Sequence, residues 1–232
     1  MVSIQSTLTS DSNTPGTFLF DSIVFGPVIS RRLGASLGIN LMPVNRKVCS
    51  FNCIYCECGY TPSTLENSLL PSVEEVLKEL EKHLLENKLA NRTIDSITFA
   101  GNGEPTLHPQ FPKIIDEVLV LRRKYYPQSR IAVLTNASRL HKPGILNALS
   151  LVDDSILKLD SAIDSTVNAI DCPVESYKIK NAVDIMAKMN GNFVIQTMFI
   201  RARVNNQVID NTTEKELDAW LKILKKVKPR LV

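Results

Sequence analysis

Ser36-Leu37-Gly38-Ile39-Asn40-Leu41-Met42-Pro43, followed shortly by Cys49-Ser50-Phe51-Asn52-Cys53-Ile54-Tyr55-Cys56, decides how this chain is read. The first stretch is an apolar run of strand length closed by proline, which has no amide hydrogen to give to a ladder. The second packs cysteines at a CxxxCxxC spacing into the loop after that strand. Three thiolates are one short of a structural zinc site or a plain iron–sulfur carrier, each of which takes four protein ligands. On a four-iron cluster, three thiolates leave one iron without a protein ligand and open to another molecule. Zinc stays as an alternative, with Cys58 as its fourth ligand. Against it, Cys56-Glu57-Cys58 is a cramped pair, and zinc sites usually join two separated pairs. Cys172, before Pro173, reads as an ordinary buried cysteine.

Working outward, short apolar runs alternate with segments of helical period, the pattern of repeated βα units on a parallel sheet. Further strands are expected at 96–100, 130–134, 155–159 and 193–200, with an extra one outside the repeat at 17–25. Ser72 and Glu75 form a capping box that opens a helix with Val73, Val76, Leu77, Leu80 and Leu84 on one stripe. Phe111, Ile114, Ile115 and Val118 mark the second helix. A helix is expected near 140–149, where Pro143 and Gly144 interrupt it, and another over 174–189 that Gly191 stops. Thr213 and Glu216 suggest a capping box before Leu217, Trp220, Leu221 and Leu224. Residues 229–232 resemble the start of a sixth strand, either very short or cut by an incomplete reading frame. The fold class is therefore α/β, a partial (β/α)6 TIM-like barrel over 17–232 behind a flexible extension at 1–16.

In such architectures the site forms at the C-terminal ends of the strands, and the unusual residues gather there. The cysteines follow the first strand and Gly101-Asn102-Gly103-Glu104-Pro105 the second. Thr135 and Asn136 end the third, Lys158 and Asp160 the fourth, and Gln196 lies in the fifth. Gly101 and Gly103 allow positive φ and close approach of a ligand to backbone, and Glu104 adds an anion. Arg31-Arg32 reads as a solvated turn, His108 as a residue that fixes its loop, and Arg201-Ala202-Arg203 as a substrate anchor.

The bulk numbers exclude some classes. With 232 residues, 44% apolar and 22% charged, the chain has the composition of a globular protein. A net charge of +3 is too small to demand a polyanionic partner. No apolar run approaches the ~18 residues of a membrane span, so no membrane partner is expected. The Ser/Thr/Asn-rich start lacks the basic and apolar regions of a signal peptide. Five cysteines, three of them clustered, suit a metal site in a reducing compartment, and a cytoplasmic location is expected.

The CxxxCxxC run with Tyr55 before its last cysteine, and the GxGEP turn after the next strand, resemble the radical S-adenosylmethionine (SAM) superfamily over residues 37–232. The segments 25–34, 45–49 and 101–109 are similar to a branch of small members grouped with wyosine-tRNA synthesis enzymes. The resemblance implies a 4Fe–4S cluster on Cys49, Cys53 and Cys56, with SAM on the open iron. Ala100, Gly101, Asn102, Gly103 and Glu104 would hold the methionine end, and Tyr55 the adenine. Thr135, Asn136, Lys158, Asp160 and Gln196 would meet ribose, carboxylate or substrate. It implies reductive cleavage to methionine and a 5′-deoxyadenosyl radical that abstracts hydrogen. The electron would come from a donor such as flavodoxin or ferredoxin, and the substrate would be tRNA, a peptide or a small metabolite. The alternatives are an iron–sulfur electron-transfer or binding protein without SAM cleavage, and a zinc-stabilised binding module.

Overall fold

The computed structural model describes residues 17–62, 70–204 and 206–232; the expected extension at 1–16 lies outside them. Strand β1 (Val24–Ser30) turns through residues 31–33 into β2 (Gly34–Ile39) and pairs with it antiparallel. Parallel pairing then runs through β3 (Ser96–Phe99), β4 (Arg130–Thr135), β5 (Asp154–Lys158) and β6 (Val194–Gln196). The crossovers carry α1 (Val73–Leu89), α2 (Phe111–Tyr125), α3 (Ile145–Leu151), then α4 (Asp164–Asp171) and α5 (Ile179–Met186). A hairpin of β7 (Arg201–Val204) and β8 (Gln207–Asp210) precedes α6 (Glu214–Val227).

The strands lie in chain order with no reversal. Right-handed crossovers in one direction place the helices on one face of the sheet, which is a partial barrel. The strand-end loops therefore gather at one rim. At the far edge, Ile195 N–H donates to Leu231 C=O at 2.9 Å and Val194 bridges Leu231 in parallel, so residues around 231 begin the expected sixth strand.

Sequence pattern accounts for the main elements. The α1 capping box forms in both directions, Ser72 Oγ accepting from Glu75 N–H and Glu75 Oε2 from Ser72 N–H. Val73, Val76, Leu80 and Leu84 of α1 are buried, as are Phe111, Ile114, Ile115 and Val118 of α2. Strand β3 is buried at every position, as a central parallel strand should be.

Several expectations need correcting. The extra strand lies at 24–30 instead of 17–25, and Arg31 and Arg32 sit exposed in its hairpin turn. The fifth parallel strand stops at Gln196, because Thr197 Oγ1 turns to Leu159 C=O and Met198 N–H to Asp160 Oδ1. The chain then leaves the sheet for β7 and β8, and Arg201 lies 3.4 Å from Asp210 of the paired strand. Helix α4 was not expected, and α5 is shorter than 174–189. Helix α3 starts after Gly144, whose φ of 78° breaks the helix expected from 140. The second capping box forms by half: Thr213 Oγ1 accepts from Glu216 N–H, but the Glu216 carboxylate reaches Ser161 Oγ and Thr166 Oγ1. Leu221 is exposed, while Trp220, Leu224 and Val227 face the core.

Candidate active site

The cysteine loop lies at the rim, held from both sides. On one side Val48 bridges Gly103 in parallel, with Val48 N–H donating to Asn102 C=O and Glu104 N–H to Val48 C=O. On the other, Phe51 bridges Pro173, Ile54 N–H donates to Ile170 C=O at 2.8 Å, and Val174 N–H donates to Ser50 C=O at 2.9 Å. The loop thus adds extended backbone between the GxGEP turn and the end of α4. Backbone donors and acceptors that a surface loop would leave to water are paired here.

Cys49, Cys53, Tyr55, Gly103, Glu104, Thr135, Asn136, Lys158, Asp160 and Gln196 line one cavity of about 230 Å³, with Met198 on its wall. Residues from five expected strand ends therefore meet. Ala100, Gly101 and Asn102 lie behind it. Ala100 N–H donates to Ile39 C=O. Asn102 is fully buried, its Nδ2 donating to Phe20 and Pro43 carbonyls and its Oδ1 accepting from Phe20 N–H. The glycines are needed for packing inside the protein. Gly101 has φ of 148°, and a Cβ there would lie 2.5 Å from Asn40 Oδ1. The Asn102 side chain thereby locks the turn against the segment before β1.

Glu104 is 2% exposed and accepts four hydrogen bonds. Oε1 takes Thr106 N–H, Thr106 Oγ1 and Thr135 Oγ1; Oε2 takes Asn136 N–H. Burial pushes its carboxyl up against the pull of these donors. The side chain ties the turn after β3 to the end of β4. Glu104→Gln would set an NH2 group against one of those donors, and we expect it to cost about 1–3 kcal/mol in urea unfolding. Unchanged stability with weakened SAM binding would instead assign Glu104 to the ligand.

Asn136 supports the cysteines: Nδ2 donates to Ser50 Oγ at 2.9 Å and lies 3.6 Å from Cys49 Sγ. His108 fixes its loop as expected, with Nε2 on Pro71 C=O and Nδ1 accepting from Gln110 N–H.

The thiols differ in environment. Burial pushes Cys49 up to about 11 and Cys53 well above the usual thiol range, with Lys158 pulling Cys53 back down. The Cys58 thiol beside it holds Cys56 at about 5, while Cys58 itself goes up. Cys58 Sγ also lies 3.7 Å from Gly101 C=O. Among the described residues no three Cys, His, Asp or Glu side chains close around a point that would hold one metal ion.

Two charged residues at the site were not among the expected site residues. Lys47 is 2% exposed, donates to Gly59 C=O at 2.9 Å, and its charge lowers all three candidate ligand thiols. Its position two residues before Cys49 was the available signal. Asp171, 3% exposed at the end of α4, lies 3.0 Å from Lys158 Nζ, an ion pair without hydrogen-bond alignment. Lys158 also contacts Asp160 Oδ2 and the Tyr55 hydroxyl, which itself donates to Asp160, and sits 4.5 Å from the Tyr55 ring centroid. Nothing in sequence ties Asp171 to this group, because α4 was not foreseen.

Burial pushes the Asp171 carboxyl up to about 7, Lys158 pulling it down and the Asp160 charge pushing it up. A carboxyl raised in the folded state binds its proton more tightly than in the unfolded chain. Its stabilising effect is therefore full below the ordinary value of 3.8 and is lost as pH rises through about 7. Asp171→Asn should flatten the fall in stability of the metal-free chain between those limits, read by urea unfolding at stepped pH. An unchanged slope would remove Asp171 as its source.

A family model described as the radical SAM superfamily matches residues 47–213, which hold both the cysteine loop and the strand-end residues. The chain belongs to the radical SAM superfamily. This radical SAM chain is 36% identical over 213 residues to a Brachyspira hyodysenteriae protein named GTPase Obg, covering 89% of this chain and 28% of that one. It is 34% identical to the UPF0026 protein MJ1312 of Methanocaldococcus jannaschii, covering 85% of this chain and 61% of that protein. The chain thus spans less than two thirds of either relative. A radical SAM methyltransferase from Sphaerobacter thermophilus shares the fold, with a TM-score of 0.59 at 14% identity over 84% of this chain and 54% of that one. The partial barrel is that of the superfamily, and family membership carries the expectation of iron–sulfur and SAM binding. Among the described residues no helix is long and apolar enough to cross a membrane.

Proposed function

We propose that this chain holds a 4Fe–4S cluster on Cys49, Cys53 and Cys56, binds SAM in the adjoining cavity, and generates a radical that takes hydrogen from a substrate. The observation that carries this reading is the shared cavity of about 230 Å³, where the cysteine loop meets the polar ends of β4, β5 and β6. The donor set fits the group. Three thiols from one loop can each take a different iron of a cube and leave the fourth iron open, and among the described residues no three Cys, His, Asp or Glu side chains surround a point that would hold one metal ion. When bound, the reduced cluster supplies one electron to the sulfonium of SAM, giving methionine and a 5′-deoxyadenosyl radical.

The chain's own residues bind, orient and exclude water. The bridge to Val48 uses Asn102 C=O and Glu104 N–H, so the N–H and C=O of Gly103 face the other way, where the methionine end of SAM would lie. Lys158 donates to Asp160 and the Tyr55 hydroxyl and pairs with Asp171 without hydrogen-bond alignment, leaving one of its three N–H groups for an oxygen of the ligand. Tyr55 and Asp160 offer a ring and a carboxylate to adenine and ribose. Thr135 and Asn136 act through Glu104 and Ser50, keeping Cys49 in place. Gln196, exposed on the far wall, and Met198 lie where a substrate would enter. Substrate class (tRNA, peptide or small metabolite), a flavodoxin or ferredoxin donor and a cytoplasmic setting complete the proposal.

The test is anaerobic reconstitution with iron and sulfide, chemical reduction, and incubation with SAM. We expect 5′-deoxyadenosine and methionine in equal amounts. A chain that holds iron and sulfide yet yields neither would be an electron carrier; a colourless chain holding zinc would be a binding module.

A further inference from the structure

A second and larger cavity, about 450 Å³, lies on the other side of the cysteine loop. Ser50 and Phe51 form its inner wall, the loop after β4 one flank, and the connection into α5 the other. Phe51 is 2% exposed and lines both cavities, so it is the partition between them. The superfamily chemistry described above uses nothing on this outer side.

The lining is basic. Arg139, His141 and Lys142 come from one short loop, and among the described residues none of the three has an acidic partner. Arg139 Nε–H is buried without an acceptor. Lys178 adds a cation on the opposite flank, itself 3.2 Å from Asp164 Oδ2, and Glu175 is the acid in the lining. Hydroxyl groups face the same space: Ser50 Oγ and Ser138 Oγ lie 2.7 Å apart, and Ser176 stands across from them. Leu140, Tyr177 and Ile185 supply apolar wall.

A basic stretch on a convex surface is ordinarily solvated. Here the cations line a concavity whose low-dielectric walls concentrate their field. The volume falls in the range of about 300–1,000 Å³ found for small-molecule sites. Arginine's fork and lysine's point charge together match the oxygens of phosphate. A carboxylate has two oxygens, and donors here approach from three sides. We infer that this cavity binds a phosphate monoester carried on a small, partly apolar molecule. Its occupant would touch the cysteine loop, because Ser50 Oγ also accepts from the Asn136 amide beside Cys49. The inference stands whether or not SAM is cleaved next door.

Calorimetry on the full, anaerobically reconstituted chain tests it, with ribose 5-phosphate, inorganic pyrophosphate, ribose and malonate as probes. Ribose avoids the adenine that the neighbouring cavity would take. We expect the two phosphates to bind and ribose not to, with malonate about tenfold weaker or more. Arg139→Ala and Lys142→Ala should each weaken phosphate binding about tenfold, as loss of a charge-assisted hydrogen bond does. Lys222→Ala, outside the cavity, should not. Should Arg139→Ala fail to fold, Lys142→Glu on the exposed end of the loop gives the same reading. Absence of phosphate binding, binding unaffected by these loop variants, or malonate binding as well as phosphate would each overturn the inference. So would tighter binding of an oligonucleotide bearing only diester phosphates.

Discussion

Cys53→Ala should strip the reconstituted chain of its iron–sulfur absorbance and reduce 5′-deoxyadenosine release to background, while the protein stays folded. Cys53 contributes a half-buried thiol at the cavity wall, so its loss as a packing group is small. Its loss as a ligand is not. Two thiolates hold a four-iron cluster poorly, and metal binding also draws each proton from its thiol. Burial resists that deprotonation at Cys53, and the Lys158 ammonium is the largest influence favouring it. The informative contrast is Cys58→Ala. If the site were zinc on four cysteines, both variants would release metal. On a three-thiolate cluster, Cys58→Ala keeps iron and sulfide and Cys53→Ala does not. Full iron content and an unchanged visible spectrum in Cys53→Ala would sink the cluster assignment. Circular dichroism on the same samples separates loss of ligand from loss of fold.

What could be read in advance depended on whether the signal was local. The apolar stripe of Val73, Val76, Leu80 and Leu84 and the Ser72–Glu75 box are set by residues a few positions apart, and the helix they predicted is present. The parallel series followed from alternating periods, and the strand-end rule then brought Tyr55, Thr135, Asn136, Lys158 and Asp160 to one cavity. What could not be read is long-range. Asn102 and Glu104 are expected as ligand contacts from their place in the glycine-rich turn, and the turn alone does not show what else they bind. Their partners, at Phe20, Pro43, Thr135 and Asn136, are distant in the chain. Asp171 joins Lys158 only because α4 turns back along the cysteine loop. Glu216 matches a capping box, yet two hydroxyls beyond β5 compete for its carboxylate and win. The fifth strand was overextended for the same reason: apolar residues continue past Gln196 to Ile200, but Asp160 captures the Met198 backbone amide.

Gly103→Ala should be the most destabilising single methyl group that can be added near the site. Gly103 has φ of 145°, a conformation side chains rarely adopt, and a Cβ there would lie 1.8 Å from the Val48 carbonyl oxygen. Neither atom has room to retreat, because that oxygen accepts from Glu104 N–H and the Val48 N–H donates to Asn102 C=O. Relief requires breaking the bridge between the GxGEP turn and the residue that leads into Cys49. Strain at such a φ and overpacking against fixed backbone together imply a loss of about 3–5 kcal/mol. Gly144→Ala is the control: its φ of 78° is also left-handed, but the nearest atom to the added Cβ is a Pro112 side-chain carbon at 3.1 Å. That variant should lose about 1–2 kcal/mol, the cost of the conformation alone. Urea unfolding of the two metal-free variants measures the difference, and equal losses would show that the Val48 contact yields freely. In reconstituted protein Gly103→Ala should also bind less iron than Gly144→Ala under conditions where both are folded, since the same bridge positions Cys49 at the cavity. The glycine thus couples fold to site through one backbone oxygen, and its function depends on what it leaves out.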